Sequence, residues 1–258
     1  MRAGRPSATA QRVAARRLTF ERAPAPFGDP AADDRLAADV AAGVEGDVGG
    51  AMTRYLRART AFVDRVVVAA LEGGTTQVVV AGAGYDGRSL RYGRPGVTWF
   101  ELDHPSTQAD KRRRIERLGI ATPGTVFVAA DFTAGSPAPA LAATGHDPAS
   151  PTLFVCEGVA VYLDLAVLTS LLGGLRSAAA PGSRLALTLS VAAGLPGTDG
   201  RRRRFEAAVA ALGEPVRSLL TADDAGALLA ATGWRPRPVG GTAGDDAHRA
   251  GFVVAGPD

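Results

Sequence analysis

The segment QVVVAGAGYDGR, residues 77–88, carries the most informative pattern in the chain. Its first five residues, Gln77 to Ala81, form a short β-branched run that is typical of a strand buried on both faces. Gly82-Ala83-Gly84 follows at once. Glycines at these positions let the backbone turn sharply and let a ligand approach the main chain. The segment therefore predicts a buried strand that ends at a binding loop.

An acidic residue follows the next predicted strand. The apolar run Val97 to Phe100 leads into Glu101-Leu102-Asp103, so Asp103 stands about 20 residues after the glycines, where nucleotide-binding sheets hold a ribose. The spacing Gly82-x-Gly84-x-x-Gly87 also matches the dinucleotide-binding fingerprint, but this motif alone has low specificity. A tight turn from strand to helix with no ligand is the alternative that the glycines leave open.

Three successive predicted strands end in acids. Asp103 ends the second strand, Asp131 follows the third at TVFVAA (125–130), and Glu157 follows the fourth at TLFVC (152–156). Ligands bind at the carboxyl ends of the strands of a parallel sheet. We therefore expect these three carboxylates to converge on one site.

Strands and helices alternate along the rest of the chain. Helices are predicted at residues 11–20, 33–42, 55–71, 105–118, 138–143, 165–179, 205–212 and from Thr221 to Ala231, and further strands at 184–189, 234–239 and 251–255. This alternation predicts an α/β fold, with a mostly parallel sheet and helices on both faces. Because of Pro236 and Pro238, the segment 234–239 is expected to be either an edge strand or irregular. The Gly-rich segment 190–200 is predicted to be mobile.

Bulk composition excludes several classes of protein. A length of 258 residues suits one large α/β domain, or one domain with an added cap, and contents of 46% hydrophobic and 21% charged residues indicate a soluble globular protein. No apolar run approaches the length of a membrane span. The net charge of +3 is small, and no basic stripe alternates with aromatic residues, so neither a nucleic-acid nor a membrane partner is expected. The basic run at 201–204 is interpreted as a solvated loop.

Cys156 is the only cysteine, so neither an internal disulfide nor a cysteine-based zinc site is possible, and a reducing cytoplasm is the natural location. No cluster of ligands suggests a metal. The basic segment from Met1 to Ala23 could be a transit peptide or a helix, and its good helix formers favour the helix.

Helical periodicity also gives expectations for individual charges. Arg59 lies on the helix at 55–71, and periodicity alone favours an exposed side chain there. Lys111 to Arg114 lie on the helix at 105–118, where most of this charge is expected to be solvated.

Several further stretches match one known family. They are Val13-Ala14-Ala15-x-Arg17, Asp29-Pro30-x-Ala32, Arg59-Thr60 with Asp64, residues 77–88, Phe100-Glu101-Leu102-Asp103-x-Pro105 with Lys111, Asp131-Phe132, Glu157-Gly158 with Tyr162-Leu163, and Gly233-Trp234. The chain thus resembles the S-adenosylmethionine-dependent methyltransferases of the leucine carboxyl methyltransferase-like family, from about Thr9 to Val254. The combination is far more specific than any one of these motifs.

The resemblance implies a Rossmann-like class I methyltransferase fold, with a seven-stranded sheet whose last strand is antiparallel. Residues 1–50 would form an N-terminal helical cap or lid, and residues 51–258 one compact methyltransferase domain. The implied cofactor is S-adenosyl-L-methionine, which becomes S-adenosyl-L-homocysteine.

The resemblance also implies a cofactor role for eight residues. Gly82, Ala83 and Gly84 would lie against the methionine part, Asp103 would bind the ribose hydroxyls, Asp131 and Phe132 would flank the adenine, Arg59 would pair with the cofactor carboxylate, and Glu157 would lie near the sulfonium or amino group. The role of Arg59 replaces the exposed position that periodicity favours.

These roles predict a small-molecule O-methyltransferase of secondary metabolism, acting on a carboxylate or a hydroxyl. Methyl transfer mainly requires alignment, and a carboxylate acceptor needs no base, whereas a hydroxyl acceptor benefits from one. Tyr162, Glu157 and His104 are weak candidates for that base. Because His104 directly follows Asp103, its side chain is expected to face away.

Three alternatives remain open. One is methylation of the terminal carboxylate of a protein. Another is an NAD-dependent oxidoreductase, which the glycine spacing alone suggests, but which Asp131-Phe132, Glu157-Gly158 and the lack of room for a substrate domain oppose. The third is a non-catalytic protein that retains the cofactor fold. The sequence does not indicate the acceptor or the oligomeric state.

Overall fold

The computed structural model describes residues 5–44, 50–191, 207, 210, 213–237 and 251–257. Its strands are β1 (Gln77–Ala81), β2 (Thr98–Asp103), β3 (Thr125–Ala129), β4 (Thr152–Cys156), β5 (Arg184–Thr188), β6 (Trp234–Arg237) and β7 (Phe252–Pro257). They form one seven-stranded sheet in the order β3-β2-β1-β4-β5-β7-β6. Strand β7 is antiparallel to both of its neighbours, and the other pairs are parallel. The predicted α/β sheet, with its antiparallel last strand, is confirmed.

The helices lie close to their predicted positions. They are α1 (Ala8–Arg17), α2 (Pro30–Ala41), α3 (Gly50–Glu72), α4 (Arg88–Arg91), α5 (Pro105–Arg117), α6 (Ala138–Ala143), α7 (Leu165–Ser177) and α8 (Ala222–Ala231), and a short 3₁₀ helix spans Ala160–Tyr162. Side-chain caps define several starts, because they satisfy backbone N–H groups that the helix leaves unpaired. Asp164 caps α7 by accepting from Val167 N at 2.9 Å, as predicted. Most of the predicted helix at 205–212, and residues 192–200 of the predicted mobile segment, lie outside the described residues.

Two hydrophobic cores cover the two faces of the sheet. Alternate residues of β1 point to opposite faces, so Val79 joins the core formed with α7 and α8, whereas Val78 joins the core formed with α3. All residues of β1 and β4 are buried, as their continuous apolar runs predict. The sheet is therefore covered by helices on both sides.

The N-terminal helices pack beside the loop that follows β1. Ala14 of α1 and Leu36 of α2 share a smaller core with Tyr85 and Leu90, which come from the segment after the glycines. This packing places α1 next to the carboxyl ends of the strands. The division into a cap at residues 1–50 and a domain at 51–258 stays a prediction. Within the described part of the chain, no helix is both long and apolar enough to cross a bilayer.

Candidate active site

A cavity of about 420 Å³ lies at the carboxyl ends of β1, β2, β3 and β4. Its wall includes every residue for which a cofactor role was expected, namely Arg59, Gly82, Ala83, Gly84, Asp103, Asp131, Phe132 and Glu157. His104 and Tyr162 line the same cavity. The expected convergence of the three strand-end carboxylates is therefore present, while the role of each residue toward a cofactor stays a prediction.

The glycine loop requires its glycines for conformation and for space. Gly82 and Gly84 have φ angles of +74° and +51°, in the left-handed region that other residues rarely adopt. A Cβ atom on Gly82 would lie 2.7 Å from the Cβ atom of Val159. The loop is held to β2, because Gly84 N donates to Asp103 Oδ2 at 2.6 Å. This hydrogen bond therefore fixes the position of the glycine turn relative to Asp103.

Asp103 titrates at an unusual pH for a carboxyl group. Burial raises the pKa of Asp103 to about 6, against the opposing effect of hydrogen bonds from the backbone N–H groups of Gly84 and His104. At neutral pH the group is a carboxylate, which can accept two hydrogen bonds from a ribose. At lower pH the group is protonated, and a carboxylic acid is a weaker hydrogen-bond acceptor than a carboxylate.

We expect cofactor affinity to fall as the pH decreases through the pKa of Asp103, about 6. Loss of a charged hydrogen-bond acceptor should weaken S-adenosylhomocysteine binding by about tenfold or more. Calorimetric titrations between pH 5 and pH 8 would measure this change. Asp103→Asn should bind weakly at every pH, whereas His104→Gln should retain the wild-type dependence. Constant affinity of the wild type across this range would contradict the ribose role.

His104 lies in the cavity wall, so the expectation that it faces away is wrong. Pro105 begins α5 directly after it, and the side-chain alternation of β2 therefore ends at Asp103. The His104 ring caps α5: Nδ1 accepts from Ser106 N at 3.3 Å. Its Nε2 atom lies 4.0 Å from Asp131 Oδ2.

Asp131 keeps one oxygen available to the cavity. Its Oδ1 atom accepts from the backbone N–H of Thr133 at 2.9 Å and from the Thr133 hydroxyl at 2.7 Å. The hydroxyl bond is the main reason that the pKa of Asp131 is lowered. Its neighbour Phe132 is 8% exposed, packs in the core and also lines the cavity.

Three arginines surround the carboxylate of Glu157. Its Oε1 atom accepts from Arg59 Nε at 2.8 Å, and its Oε2 atom accepts from Arg17 Nη2 at 3.0 Å and Arg88 Nη1 at 2.5 Å. Burial alone would raise the pKa of Glu157, but the charges of Arg17, Arg88 and Arg59 outweigh burial and hold the pKa well below its usual range. Glu157 is thus a fixed negative charge and a poor proton acceptor.

This cluster belongs to a larger buried ion network that links α1, α2, α3 and α4 to the end of β4. Its members are Arg17, Arg22, Arg59, Arg88 and Arg91, with Asp33, Asp34, Asp64, Asp86 and Glu157. Asp34 is the exposed member of the network, and its other four carboxylates are buried with the arginines. The sequence does not indicate this network, because its members come from segments far apart in the chain.

Two charges expected at the surface are instead buried. Arg59 is 7% exposed and paired with Glu157, so the expectation from periodicity alone is wrong. Lys111 is 2% exposed and paired with Glu101, whereas Arg112 and Arg113 of the same helix are exposed as predicted. In both cases the partner is a carboxylate outside the helix: Glu157 follows β4, and Glu101 lies within β2.

Glu214 is a cavity residue that the sequence analysis missed. It is 6% exposed and lines the cavity beside α1. It accepts hydrogen bonds from Ala8 N at 2.9 Å, from Ser7 Oγ at 3.0 Å and from the Thr9 hydroxyl. It does not follow a predicted strand, so no local pattern distinguishes it. No group of three potential metal ligands occurs among the described residues.

The sheet order and the site define a class of protein. Strand order 3-2-1-4-5-7-6 with an antiparallel β7, a glycine turn after β1 and an acid at the end of β2 are the features of a class I methyltransferase. The crystal structure of a proposed methyltransferase from Thermobifida fusca has the same fold, with a TM-score of 0.58 and 19% identity over 100% of this chain and 97% of that one.

The sequence profile of the leucine carboxyl methyltransferase family matches residues 9–176, and the chain belongs to this family. A proposed S-adenosyl-L-methionine-dependent methyltransferase of Frankia alni is 38% identical over 155 residues, which are 59% of this chain and 51% of the relative. Another, from Mycolicibacterium smegmatis, is 36% identical over 194 residues, 69% of this chain and 65% of the relative. The chain therefore spans between half and two thirds of the length of these relatives. Its cofactor is S-adenosyl-L-methionine.

Proposed function

We propose that this protein is an O-methyltransferase that acts on a carboxylate or a hydroxyl of a small molecule in secondary metabolism. The observation that supports this most directly is the composition of the cavity wall. One part consists of the glycine turn and the three strand-end carboxylates, and another part consists of α1, the 3₁₀ helix and residues 214–217. The second part is not needed for the cofactor and is available to an acceptor.

The strand order fixes the orientation that we propose for the cofactor. Strands β2 and β3 lie on one side of β1 and carry Asp103 and Asp131, so the adenosine would lie over this side. Strand β4 lies on the other side and leads to Glu157, which is paired with Arg59. The methionine part would therefore lie over β1 and β4, with its carboxylate near Arg59. Gly82 at the end of β1 lets the chain pass close to it.

Methyl transfer from a sulfonium requires little chemistry from the protein beyond alignment. The leaving sulfur is neutral, so holding the acceptor oxygen in line with the methyl carbon and the sulfur supplies much of the acceleration. A cavity closed by α1 would also exclude water, which competes as an acceptor. Its volume of about 420 Å³ favours a small acceptor.

The weak candidates for a base are not favoured by their surroundings. Glu157 is held as an anion by three arginines. Burial raises the pKa of Tyr162, so its phenolate is a scarce species at neutral pH. His104 lies beside Asp131, on the side proposed for the adenosine. If the acceptor is a hydroxyl, another group should take its proton.

Transfer of a labelled methyl group tests the proposal. The protein would be incubated with S-adenosylmethionine that carries a tritiated methyl group, and with separate small-molecule and protein fractions of a bacterial extract. We expect label in the small-molecule fraction, and much less label with the Gly82→Ala variant when S-adenosylmethionine is not saturating. Mild alkali releases methanol from a methyl ester but not from a methyl ether, which distinguishes the two acceptor groups. Label confined to proteins, or no label at all, would contradict the proposal.

A further inference from the structure

Glu214 is a buried carboxylate with no cationic partner among the described residues. The other carboxylates of the cavity wall have different partners: Asp103 accepts from the glycine loop, Glu157 is paired with three arginines, Asp131 accepts from Thr133, and Asp164 caps α7. A buried carboxylate is unfavourable unless hydrogen bonds or charges compensate it. Among the residues that the structure describes, the donors to Glu214 are all neutral and come from Ser7, Ala8 and Thr9.

One lone pair of Glu214 remains available to a ligand. Its Oε2 atom accepts from the hydroxyls of Ser7 and Thr9, whereas the one described donor to its Oε1 atom is Ala8 N, counting only the part of the chain that the structure describes. Each carboxylate oxygen has about two acceptor sites. Because Glu214 lines the cavity, the remaining site of Oε1 can meet an acceptor molecule.

Glu214 lies on the methionine side of the cavity. The segment that carries it is tied to the 3₁₀ helix after β4, since Arg217 N donates to Val161 O at 2.8 Å and Ser218 Oγ donates to Ala160 O at 2.8 Å. Tyr162 of that helix lines the cavity together with Thr9 and Glu214, and after burial, which raises its pKa, the charges of Glu214 and Arg59 shift this pKa in opposite directions. These contacts place Glu214 near the Arg59 end, where the methyl group would be presented.

The charge of Glu214 distinguishes between the two acceptor groups. The other charged or titratable groups described in this part of the cavity wall are Arg17, Arg59, Glu157, Tyr162, Asp164 and Arg217. Arg17 is paired with Glu157. Arg59 is paired with Glu157, and Arg217 is exposed at the cavity mouth. A carboxylate acceptor beside Glu214 would therefore meet a like charge, whereas a hydroxyl would donate a hydrogen bond to it.

We propose that Glu214 is the general base of this site and that the methyl acceptor is a neutral hydroxyl of a phenol or an alcohol. This inference rests on the methyl transfer proposed above. A lone pair of the acceptor oxygen attacks the methyl carbon, and the carbon–sulfur bond breaks with its electron pair going to sulfur, which leaves neutral S-adenosylhomocysteine. The proton of the acceptor oxygen passes to Oε1 of Glu214, and from there to solvent after the product departs.

Sinefungin tests this position without knowledge of the acceptor, because an amine-bearing carbon replaces the methylated sulfur in this analogue. Its ammonium group points where the methyl group would point, and it should be attracted to Glu214. We expect Glu214→Gln to lower the affinity for sinefungin relative to S-adenosylhomocysteine by about tenfold, the effect of losing one charge-assisted hydrogen bond. Affinity for S-adenosylhomocysteine itself should change little, because the amide oxygen of glutamine can still accept from Ala8 N.

Asp164→Asn is the matched control. Asp164 is another carboxylate of the cavity wall, and asparagine can still cap α7, so the ratio of the two affinities should stay as in the wild type. Glu214→Asp keeps the charge but withdraws it by one methylene, so its ratio of sinefungin affinity to S-adenosylhomocysteine affinity should lie between those of the wild type and Glu214→Gln. If the glutamine variant does not fold, the aspartate variant provides the test. An unchanged ratio in the Glu214 variants would overturn the proposal, as would an alkali-labile methylated product. A wild type that binds neither compound would instead refute the proposed function.

Discussion

Replacing Arg88 by methionine should lower the free energy of unfolding by about 3–5 kcal/mol, the effect of removing one partner from a buried ion pair. Arg88 is 1% exposed and donates to three carboxylates: Asp64 at 2.7 Å, Asp86 at 2.5 Å and Glu157 at 2.5 Å. Methionine retains much of the apolar volume, but it leaves these carboxylates with fewer cations. Chemical denaturation of purified protein at neutral pH would measure the difference.

The loss should depend on pH in a defined direction. The pKa of Asp64 is lowered to about 2, because the Arg88 charge and the Arg22 hydrogen bond outweigh the opposing effect of burial. A lowered pKa contributes stability above the unfolded-state pKa of about 4, and this stability is lost as the pH falls toward the folded-state value. The gap between wild type and Arg88→Met should therefore narrow as the pH falls below about 4.

An exposed arginine provides the control for the Arg88 prediction. The Arg113 side chain is 68% exposed and forms one pair, with Asp110 on the same helix, at 3.2 Å. Arg113→Met should change the free energy of unfolding by less than about 0.5 kcal/mol. Equal effects of the two substitutions would show that the buried network does not stabilise the fold.

Replacing Gly82 by alanine should damage both the fold and the cofactor site. A residue with a Cβ atom is strained at a φ of +74°, by about 1–2 kcal/mol. The added methyl would also lie 2.7 Å from the Cβ atom of Val159, which is part of the cavity wall. Because the loop must move to relieve this contact, we expect S-adenosylhomocysteine affinity to fall by about tenfold or more, or about 1.4 kcal/mol or more of binding free energy.

A substitution at Gly96 distinguishes the effect of backbone strain from the effect on the cavity. Its φ is +79°, similar to that of Gly82, but a Cβ atom there would have no neighbour within 4 Å. Gly96→Ala should therefore lower the free energy of unfolding by about 1–2 kcal/mol and leave cofactor affinity unchanged. Calorimetry on both variants tests this comparison. An unchanged affinity in a folded Gly82→Ala protein would contradict the proposed position of the cofactor.

The parts of the fold that the sequence predicts well are those that depend on local patterns. Strands β1 and β4 have their predicted bounds, because a strand buried on both faces must be apolar throughout. The carboxylates at the strand ends could also be placed, since parallel strands bring their carboxyl ends to one edge. The antiparallel position of β7 came from the family resemblance and not from any local pattern.

The parts that could not be predicted depend on contacts between distant segments. Arg59 has the spacing of an exposed residue, and only the approach of Glu157, 98 positions later, explains its burial. Glu214 lies outside any strand end, and its donors lie more than 200 positions away in α1 and the residue before it. His104 was misplaced because the strand alternation was extended one residue too far, past the point where Pro105 begins a helix.

The most direct test of the central claim is a calorimetric titration of the wild-type protein with S-adenosylhomocysteine and, separately, with NAD⁺. The claim is that the cavity over the glycine turn holds the cofactor through Asp103. We expect one S-adenosylhomocysteine per chain, no binding of NAD⁺, and an affinity about tenfold weaker or more in Asp103→Asn. Binding of NAD⁺ without S-adenosylhomocysteine, or unchanged affinity in a folded Asp103→Asn protein, would contradict it.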